Sequence, residues 1–453
     1  MSLHVIILAA GQGSRMKSDL PKVVHRLAGK PMLQHVVDTA NQLDAETIHI
    51  VVGHGAERVK ETIKDEHINW CLQSEQLGTG HAVAQAIDEI PKDAEVLILY
   101  GDVPLTAAQT LDELISSVEE RQLSLLTVNL EDPRGYGRII RCSEDEVSAI
   151  VEEKDASDEE RIINEVNTGI LAMSAEALHR YIPQLSNSNA QGEYYLTDII
   201  EIAVINGDRV VSHQPRFEQE VQGVNNRLQL CELECWYQSR ISEELMLAGV
   251  TLYDPNRIDV RGTLEFGKDV IIDLNCIFEG DVYLGDGTVV GPNCVIKNTR
   301  IGANTIIHPN SVIEESEIGD NVNIGPFARL RPGSKLANSS KIGNFVETKK
   351  TYVGEGSKIN HLSYVGDATL GKGVNIGAGT ITCNYDGVNK SKTELGDGVF
   401  VGSNTLFIAP VKVGAMATTG AGSTVTKDVD NEQLVVARAK QRNIDGWQRP
   451  IKK

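Results

Sequence analysis

The chain has 453 residues, enough at roughly 150 residues per domain for two or three domains. Its 43 basic and 63 acidic side chains leave a net charge of −20, which argues against a nucleic-acid or anionic-membrane partner. No apolar run approaches the roughly 20 residues that insertion in a bilayer needs. Seven cysteines without zinc-ligand spacing suit a reducing, cytoplasmic compartment. Glycine is unevenly placed: 15 of the 41 precede residue 251 and 26 follow it, so the two halves are read as different architectures.

In the first half, apolar runs at 4–10, 47–53, 95–100 and 123–130 read as strands. The run 5–10 follows no basic region and leads into Gly11-Gln12-Gly13, which makes it a strand and not a signal peptide. Helical patterns lie between the runs, such as Met32-Leu33-His35-Val36-Val37-Ala40 and Ala82-Val83-Ala86-Ile87. Continuous apolar strands joined by helical crossovers predict an open α/β sheet, with ligands beyond the carboxyl ends of its strands.

Two segments fall at such ends. After the first strand, Gly11 and Gly13 allow the backbone to approach a phosphate, and Arg15 and Lys22 offer positive charge. A plain strand-to-helix turn would also use these glycines. Met16 replaces the third glycine of a dinucleotide fingerprint, and a Walker lysine is missing. After the third run, Tyr100-Gly101-Asp102-Val103-Pro104 places an aspartate where it could hold Mg²⁺ beside phosphates or simply cap a turn.

Leu8-Ala9-Ala10-Gly11-Gln12-Gly13-Ser14-Arg15-Met16, followed by Asp19-Leu20-Pro21-Lys22, resembles the signature of sugar-phosphate nucleotidylyltransferases. Gln73-Ser74-Glu75-Gln76-Leu77-Gly78-Thr79-Gly80-His81-Ala82 is similar to the base-binding segment of uridylyl-transferring members. Further matches are Gly135-Tyr136-Gly137-Arg138, Val151-Glu152-Glu153-Lys154-Asp155, Asn167-Thr168-Gly169 and Gly223-Val224-Asn225-Asn226-Arg227. Ser14 stands where the family commonly has threonine. The resemblance implies a Rossmann-like nucleotidyltransferase domain over 1–227 that moves a uridylyl group from UTP to a hexosamine 1-phosphate. By the same resemblance Leu8, Ala9, Ala10, Gly11, Arg15 and Lys22 lie at the nucleotide, Tyr100 and Gly101 at the nucleotide or sugar, and Gln73, Gly78 and Thr79 read uracil. Gly137, Glu152 and Asn167 hold the sugar, and Asp102 and Asn225 coordinate Mg²⁺.

Residues 226–248 lack helix breakers and read as a helix, with 228–248 as linker and Cys231 and Cys235 as small packing residues. Beyond it an aliphatic residue, often followed by glycine, returns every six positions. One register runs Ile318, Ile324, Leu330, Leu336, Ile342; another runs Leu395, Val401, Phe407, Val413 and, after a gap at Thr419, Val425. Three hexapeptides make one triangular coil of a parallel β-helix, and the long step from Thr382 to Leu395 predicts an extruded loop. Arg331, Glu347, Lys349, His361, Tyr364 and Asn375 are polar residues that stacking does not require. Read alone, they fit a solvated face as well as a site.

Residues 249–453 resemble the acetyltransferase half of the bacterial bifunctional N-acetylglucosamine-1-phosphate uridylyltransferases/glucosamine-1-phosphate acetyltransferases. The carrying motifs are Arg331-Pro332-Gly333, Glu347-Thr348-Lys349-Lys350, His361-Leu362-Ser363-Tyr364, Asn375-Ile376-Gly377-Ala378-Gly379-Thr380, Cys383-Asn384-Tyr385-Asp386-Gly387, Gly402-Ser403 and Ala421-Gly422. Arg438-Ala439 departs where proline is familiar after the arginine. This resemblance implies a left-handed β-helix, a homotrimer, and acetyl-CoA-dependent acetylation of glucosamine 1-phosphate ahead of uridylylation of N-acetylglucosamine 1-phosphate. His361 would be the general base and Glu347 would orient its ring. Arg331, Lys349, Tyr364 and Asn375 would bind the sugar phosphate, and Ala378, Asn384, Tyr385, Ser403, Ala421 and Arg438 the acetyl-CoA. The competing readings are a monofunctional sugar-1-phosphate nucleotidylyltransferase with a structural β-helix and a non-catalytic nucleotide-binding subunit.

Overall fold

A computed structural model describes every residue except 1, 64, 66, 144, 145 and 453. The chain divides into two compact units, residues 1–237 and 238–453, with the division inside the helix Arg227–Leu247.

The first unit is built on a twisted sheet with strand order Arg209–His213, Gln122–Asn129, Glu165–Ser174, Glu95–Tyr100, Leu3–Ala9, Thr47–Val52, Ile68–Leu72. All neighbours on this path are parallel except Glu165–Ser174, which runs antiparallel to both strands beside it. The central strands are buried on both faces, which is why they read as unbroken apolar runs. One core contains Ile6, Ile98 and Leu171; the other contains Val5, Ile7 and Leu97. Gly13 adopts a left-handed φ of 63°, and a Cβ there would lie 2.6 Å from the Cβ of Lys22. Glycine therefore lets the loop after the first strand close against Lys22.

The second unit is a parallel β-helix: every coil-to-coil strand pairing is parallel. Its interior is three aliphatic ladders. Val290, Ile307, Ile324, Ile342, Ile359, Ile376 and Val401 form one through successive registers. Ile313, Leu330, Thr348 and Val365 stack in the second, and Ile318, Leu336, Val353, Leu370, Leu395 and Val413 in the third. Each inward aliphatic contributes about 1.5–3 kcal/mol by burial, which a single coil could not collect alone. A Cβ on Gly343 would sit 1.9 Å from the Asn360 carbonyl oxygen, so the close approach of adjacent coils requires glycine there. Thr419 is no gap: it is 1% exposed, keeps the inward register, and its hydroxyl meets Thr405 Oγ1 at 3.1 Å and the Gly402 amide at 3.1 Å. The predicted extruded loop lies between the strands Ile381–Cys383 and Thr393–Leu395, closed by a Tyr385–Lys390 bridge.

Cys231 and Cys235 are exposed on their helix and do not serve as packing residues. Their spacing of four puts both on one outward face of the helix. Among the described residues no helix is long and apolar enough to cross a membrane.

Candidate active sites

In the first unit, the carboxyl ends of the strands Leu3–Ala9 and Glu95–Tyr100 open into a cavity of about 260 Å³. Leu8, Ala9, Ala10, Gly11, Lys22, Gln73, Gly78, Thr79, Tyr100 and Asp102 line it, so these sequence-predicted residues come together. Val23, Gln76, Ala82 and Glu193 also line it; Gln76 and Ala82 belong to the quoted base-binding segment and Val23 follows Lys22, while Glu193 arrives from a distant segment without a local signal. Gln73 Nε2 donates to the Gly78 carbonyl at 3.1 Å, which fixes the amide against the start of the helix Thr79–Ala84. Gly101 closes the floor, its amide donating to the Leu8 carbonyl at 3.0 Å.

Four polar residues converge at the cavity rim. The Lys22 ammonium donates to Asp102 Oδ2 and, at 3.2 Å, to Asn225 Oδ1. Arg15 Nη2 donates to the same Asn225 oxygen at 2.8 Å. The Asp102 carbonyl accepts from the Val224 amide at 2.9 Å, which holds the Asn225 segment beside Asp102. Two hard oxygens thus face one cationic point. That donor set fits Mg²⁺, which takes few carboxylate or carbonyl ligands and completes its shell with water and phosphate oxygens.

Gly137, Glu152 and Asn167 form a second cluster on neighbouring strands. The Asn167 amide donates to the Gly137 carbonyl at 2.8 Å, and pairing of Arg138 with Val151 brings Gly137 beside Glu152. Burial pushes the Glu152 carboxyl up; the Thr197 hydroxyl, donating at 3.1 Å, opposes this. Asp198 is pushed up to about 6 by burial and then by Glu152, Glu201 and Asp155. The half-buried Tyr100 phenol, which lines the cavity, is raised by desolvation and then by the charges of Glu152 and Asp102.

In the β-helix the predicted residues form two rows. Along one corner, backbone bonds step from coil to coil: Leu362 N to Asn344 O at 3.1 Å, Gly379 N to His361 O at 3.4 Å, Asn404 N to Ala378 O at 2.7 Å and Gly422 N to Ser403 O at 2.8 Å. Arg438 Nη1 completes the row on the Ala421 carbonyl at 2.6 Å. His361, Ala378, Ser403 and Ala421 therefore occupy equivalent places in successive coils, and Arg438 reaches the end of the row through its side chain. Asn375 lies on the adjoining face, paired in register with Lys358.

The second row contains Arg331, Glu347 and Tyr364. Arg331 Nη1 and Glu347 Oε1 are 2.8 Å apart, and Tyr364 pairs in register with Glu347. Asn384 Nδ2 reaches the Tyr364 hydroxyl at 3.5 Å and also donates to Asp367. Tyr385 is 59% exposed on the extruded loop. Lys349 is held below the ordinary lysine range by the positive charges of Lys390 and Arg331, a crowding of cations suited to an anion.

Within this chain Glu347 is engaged with Arg331, and Asn344 Oδ1 lies 2.9 Å from His361 Nδ1, a neighbour of the ring that the motifs do not contain. Sequence reading missed Asn344 because it sits 17 residues before His361. That separation is one coil, so counting back through the repeat would have found it. Lys390 was missed because the loop interrupts the repeat.

A model of the MobA-like NTP transferase domain matches residues 5–166, and one of the bacterial transferase hexapeptide, with six repeats, matches residues 298–331. The chain is 64% identical over 450 residues to a protein named bifunctional protein GlmU from Marinobacter nauticus, covering 99% of each chain. Proteins of the same name from Cellvibrio japonicus and Saccharophagus degradans are each 58% identical over 451 residues, covering 100% of both chains. A nucleotidyltransferase unit and a hexapeptide β-helix in one chain, with identity running its length, have one meaning. The chain belongs to the family of bifunctional GlmU proteins, uridylyltransferases and acetyltransferases of UDP-N-acetylglucosamine synthesis.

Proposed function

We propose that residues 1–227 carry uridylyl transfer, that 228–248 form the helical linker and that 249–453 carry acetyl transfer. The observation that carries this assignment is the presence of two polar constellations on two folds: Lys22, Asp102 and Asn225 at the strand ends, and His361 on the β-helix corner. Acetylation of glucosamine 1-phosphate comes first and supplies the N-acetylglucosamine 1-phosphate that is then uridylylated.

For uridylyl transfer, an oxygen of the sugar phosphate attacks the α-phosphorus of UTP and pyrophosphate leaves. Such displacement rests on positioning and charge neutralisation more than on protein acids or bases. Lys22 and Arg15 offset phosphate charge, and the backbone from Leu8 to Gly11 bears on the nucleotide. Gln73, Gly78 and Thr79 take the base, while Gly137, Glu152 and Asn167 hold the sugar. Asp102 and Asn225 would hold Mg²⁺, which supplies further charge neutralisation at the phosphates.

For acetyl transfer, the amine of glucosamine 1-phosphate attacks the thioester carbonyl of acetyl-CoA. His361 takes the amine proton, and the thiolate of coenzyme A leaves. A hydrogen bond from Nδ1–H to Asn344 leaves Nε2 unprotonated, the tautomer a base needs. Arg331 and Lys349 grip the phosphate with Tyr364 and Asn375 at the sugar; Glu347 fixes the Arg331 guanidinium. The corner row Ala378, Ser403, Ala421 and Arg438, with Asn384 and Tyr385, takes the extended acetyl-CoA. Phe327 and Phe345 stack in the open, 49% and 55% exposed with centroids 5.2 Å apart. This apolar row supports assembly through the β-helix as a homotrimer. We place the enzyme in the cytoplasm, where UTP and acetyl-CoA are supplied.

Two variants test the assignment. Asp102→Ala is expected to abolish UTP-dependent pyrophosphate release while acetyl transfer persists, and His361→Ala to do the reverse. Loss of both activities in either folded variant would contradict the two-site reading.

A further inference from the structure

Arg138 has a buried charge that the mechanism above does not use. It begins the strand Arg138–Arg141 directly after Gly137, is 1% exposed, and is the largest side chain wholly enclosed by the protein. Its Nη2 lies 2.6 Å from Glu153 Oε2. Nη1 donates to the Tyr136 carbonyl, and Nε and Nη2 reach the Arg161 carbonyl at 3.4 and 3.3 Å. Three segments thus meet on one planar group: the turn before Gly137, the turn after the strand Val147–Val151, and the end of the helix Asp158–Arg161.

Stability is a poor explanation for this arrangement. Enclosing a guanidinium carries a large desolvation penalty, and a buried ion pair often does no better than an apolar replacement. The fixed fork of donors does supply geometry, because a guanidinium satisfies its partners only when they stand at set angles in its plane.

Two partners of the Arg138 guanidinium, Tyr136 and Glu153, are immediate neighbours of proposed sugar-binding residues. Gly137 precedes Arg138 in the chain, Glu152 precedes Glu153, and Asn167 follows Val166, the residue paired in register with Arg138. Gly137 and Glu152 are therefore one residue from groups that the Arg138 guanidinium holds, Tyr136 and Glu153, and Asn167 is tied to the same strand through the backbone pairing of Val166. Tyr136, also next to Gly137, has its phenol raised by burial and by the charge of Asp102, so this turn also reaches toward the phosphate cluster.

We propose that Arg138 is a positioning residue for the sugar 1-phosphate, setting the spacing of Gly137, Glu152 and Asn167 from behind without touching substrate. The proposal rests on the assignment of those three residues to the sugar. It differs from a stability role because it singles out one substrate: the nucleotide cavity is lined by segments that Arg138 does not touch.

The test is steady-state kinetics of the full-length Arg138→Lys and Glu153→Gln variants, with Asn167→Ala as comparator. Lysine keeps the charge but lacks the fork. Both variants are expected to raise KM for N-acetylglucosamine 1-phosphate roughly tenfold or more, with KM for UTP within about twofold of wild type. Their double variant should be little worse than either single one, because both break the same clamp. The retained KM for UTP in the same molecules reports that the first unit is folded, and acetyl transfer reports the second. Equal rises in both KM values, or a lower unfolding temperature with neither KM changed, would overturn the proposal in favour of a purely structural Arg138. If Asn167→Ala leaves the sugar KM unchanged, the sugar assignment itself fails, whatever Arg138 does.

Discussion

His361 and Asn344 show how one hydrogen bond sets the chemistry of a side chain. The imidazole accepts a proton at Nε2 only while Nδ1 carries its own, and the Asn344 oxygen 2.9 Å away holds it there. Replacing that neutral oxygen with a carboxylate in Asn344→Asp would stabilise the imidazolium over the neutral ring. The acid limb of the acetyl-transfer rate is therefore expected to move to higher pH, with the uridylyl-transfer profile unchanged. A pH–rate profile checks this, and an unmoved limb would detach Asn344 from the base. The polar residues at the first site obey a different rule. Lys22, Arg15, Asp102 and Asn225 come from three distant parts of the chain, and their motif context made them legible. Glu193 had no such context, since it reaches the cavity through tertiary folding alone.

Among elements, the strands were legible wherever burial is two-sided or the repeat is strict. The runs at 47–53 and 95–100 coincide with Thr47–Val52 and Glu95–Tyr100, because strands covered on both faces have no polar positions to interrupt them. The antiparallel insertion of Glu165–Ser174 was not legible, as its neighbours are set by pairings far away in sequence. The edge of the same sheet holds a titratable device. Asn69 Nδ2 lies 3.1 Å from His49 Nδ1, and His49 Nε2 lies 3.1 Å from His4 Nδ1, a chain that suits neutral rings. Burial lowers His49 to about 4, with a smaller contribution from His4. In the unfolded chain it titrates near 6.5, so unfolded molecules bind the extra proton first and His49 makes stability fall as pH drops from about 6.5 to 4. Asp198 acts in the opposite sense over an overlapping range. Its carboxyl is raised to about 6 by burial and nearby carboxylates, so the folded state holds the proton and stability falls as pH rises from about 4 to 6. His49→Gln is expected to lessen the acid loss of stability and Asp198→Asn to steepen it. Thermal unfolding at several pH values between 4 and 6.5 checks both; identical pH slopes in all three proteins would remove these groups from the balance.

At the scale of the whole molecule, a net charge of −20 belongs to a protein whose proposed ligands are all anions. The attraction must be local. It is concentrated where Lys22 and Arg15 meet Asn225, where Lys349 is crowded by Lys390 and Arg331, and where Arg438 ends the corner row. An acidic surface around small cationic sites favours release of an anionic product once its own site lets go, because long-range attraction does not retain it. The intermediate, N-acetylglucosamine 1-phosphate, is such a product: it leaves one site and must reach the other. Separate Asp102→Ala and His361→Ala proteins are each expected to make no UDP-N-acetylglucosamine from glucosamine 1-phosphate, acetyl-CoA and UTP. Mixed in one vessel they should make it after a lag, the first protein supplying the intermediate through bulk solvent and the second consuming it. Raising the amount of His361→Ala protein should shorten the lag, since uridylyl transfer then captures the intermediate at a lower concentration. Product from the mixture, followed by chromatography, would establish free release. Silence from the mixture, with both single activities intact, would mean that the intermediate does not leave the molecule that made it.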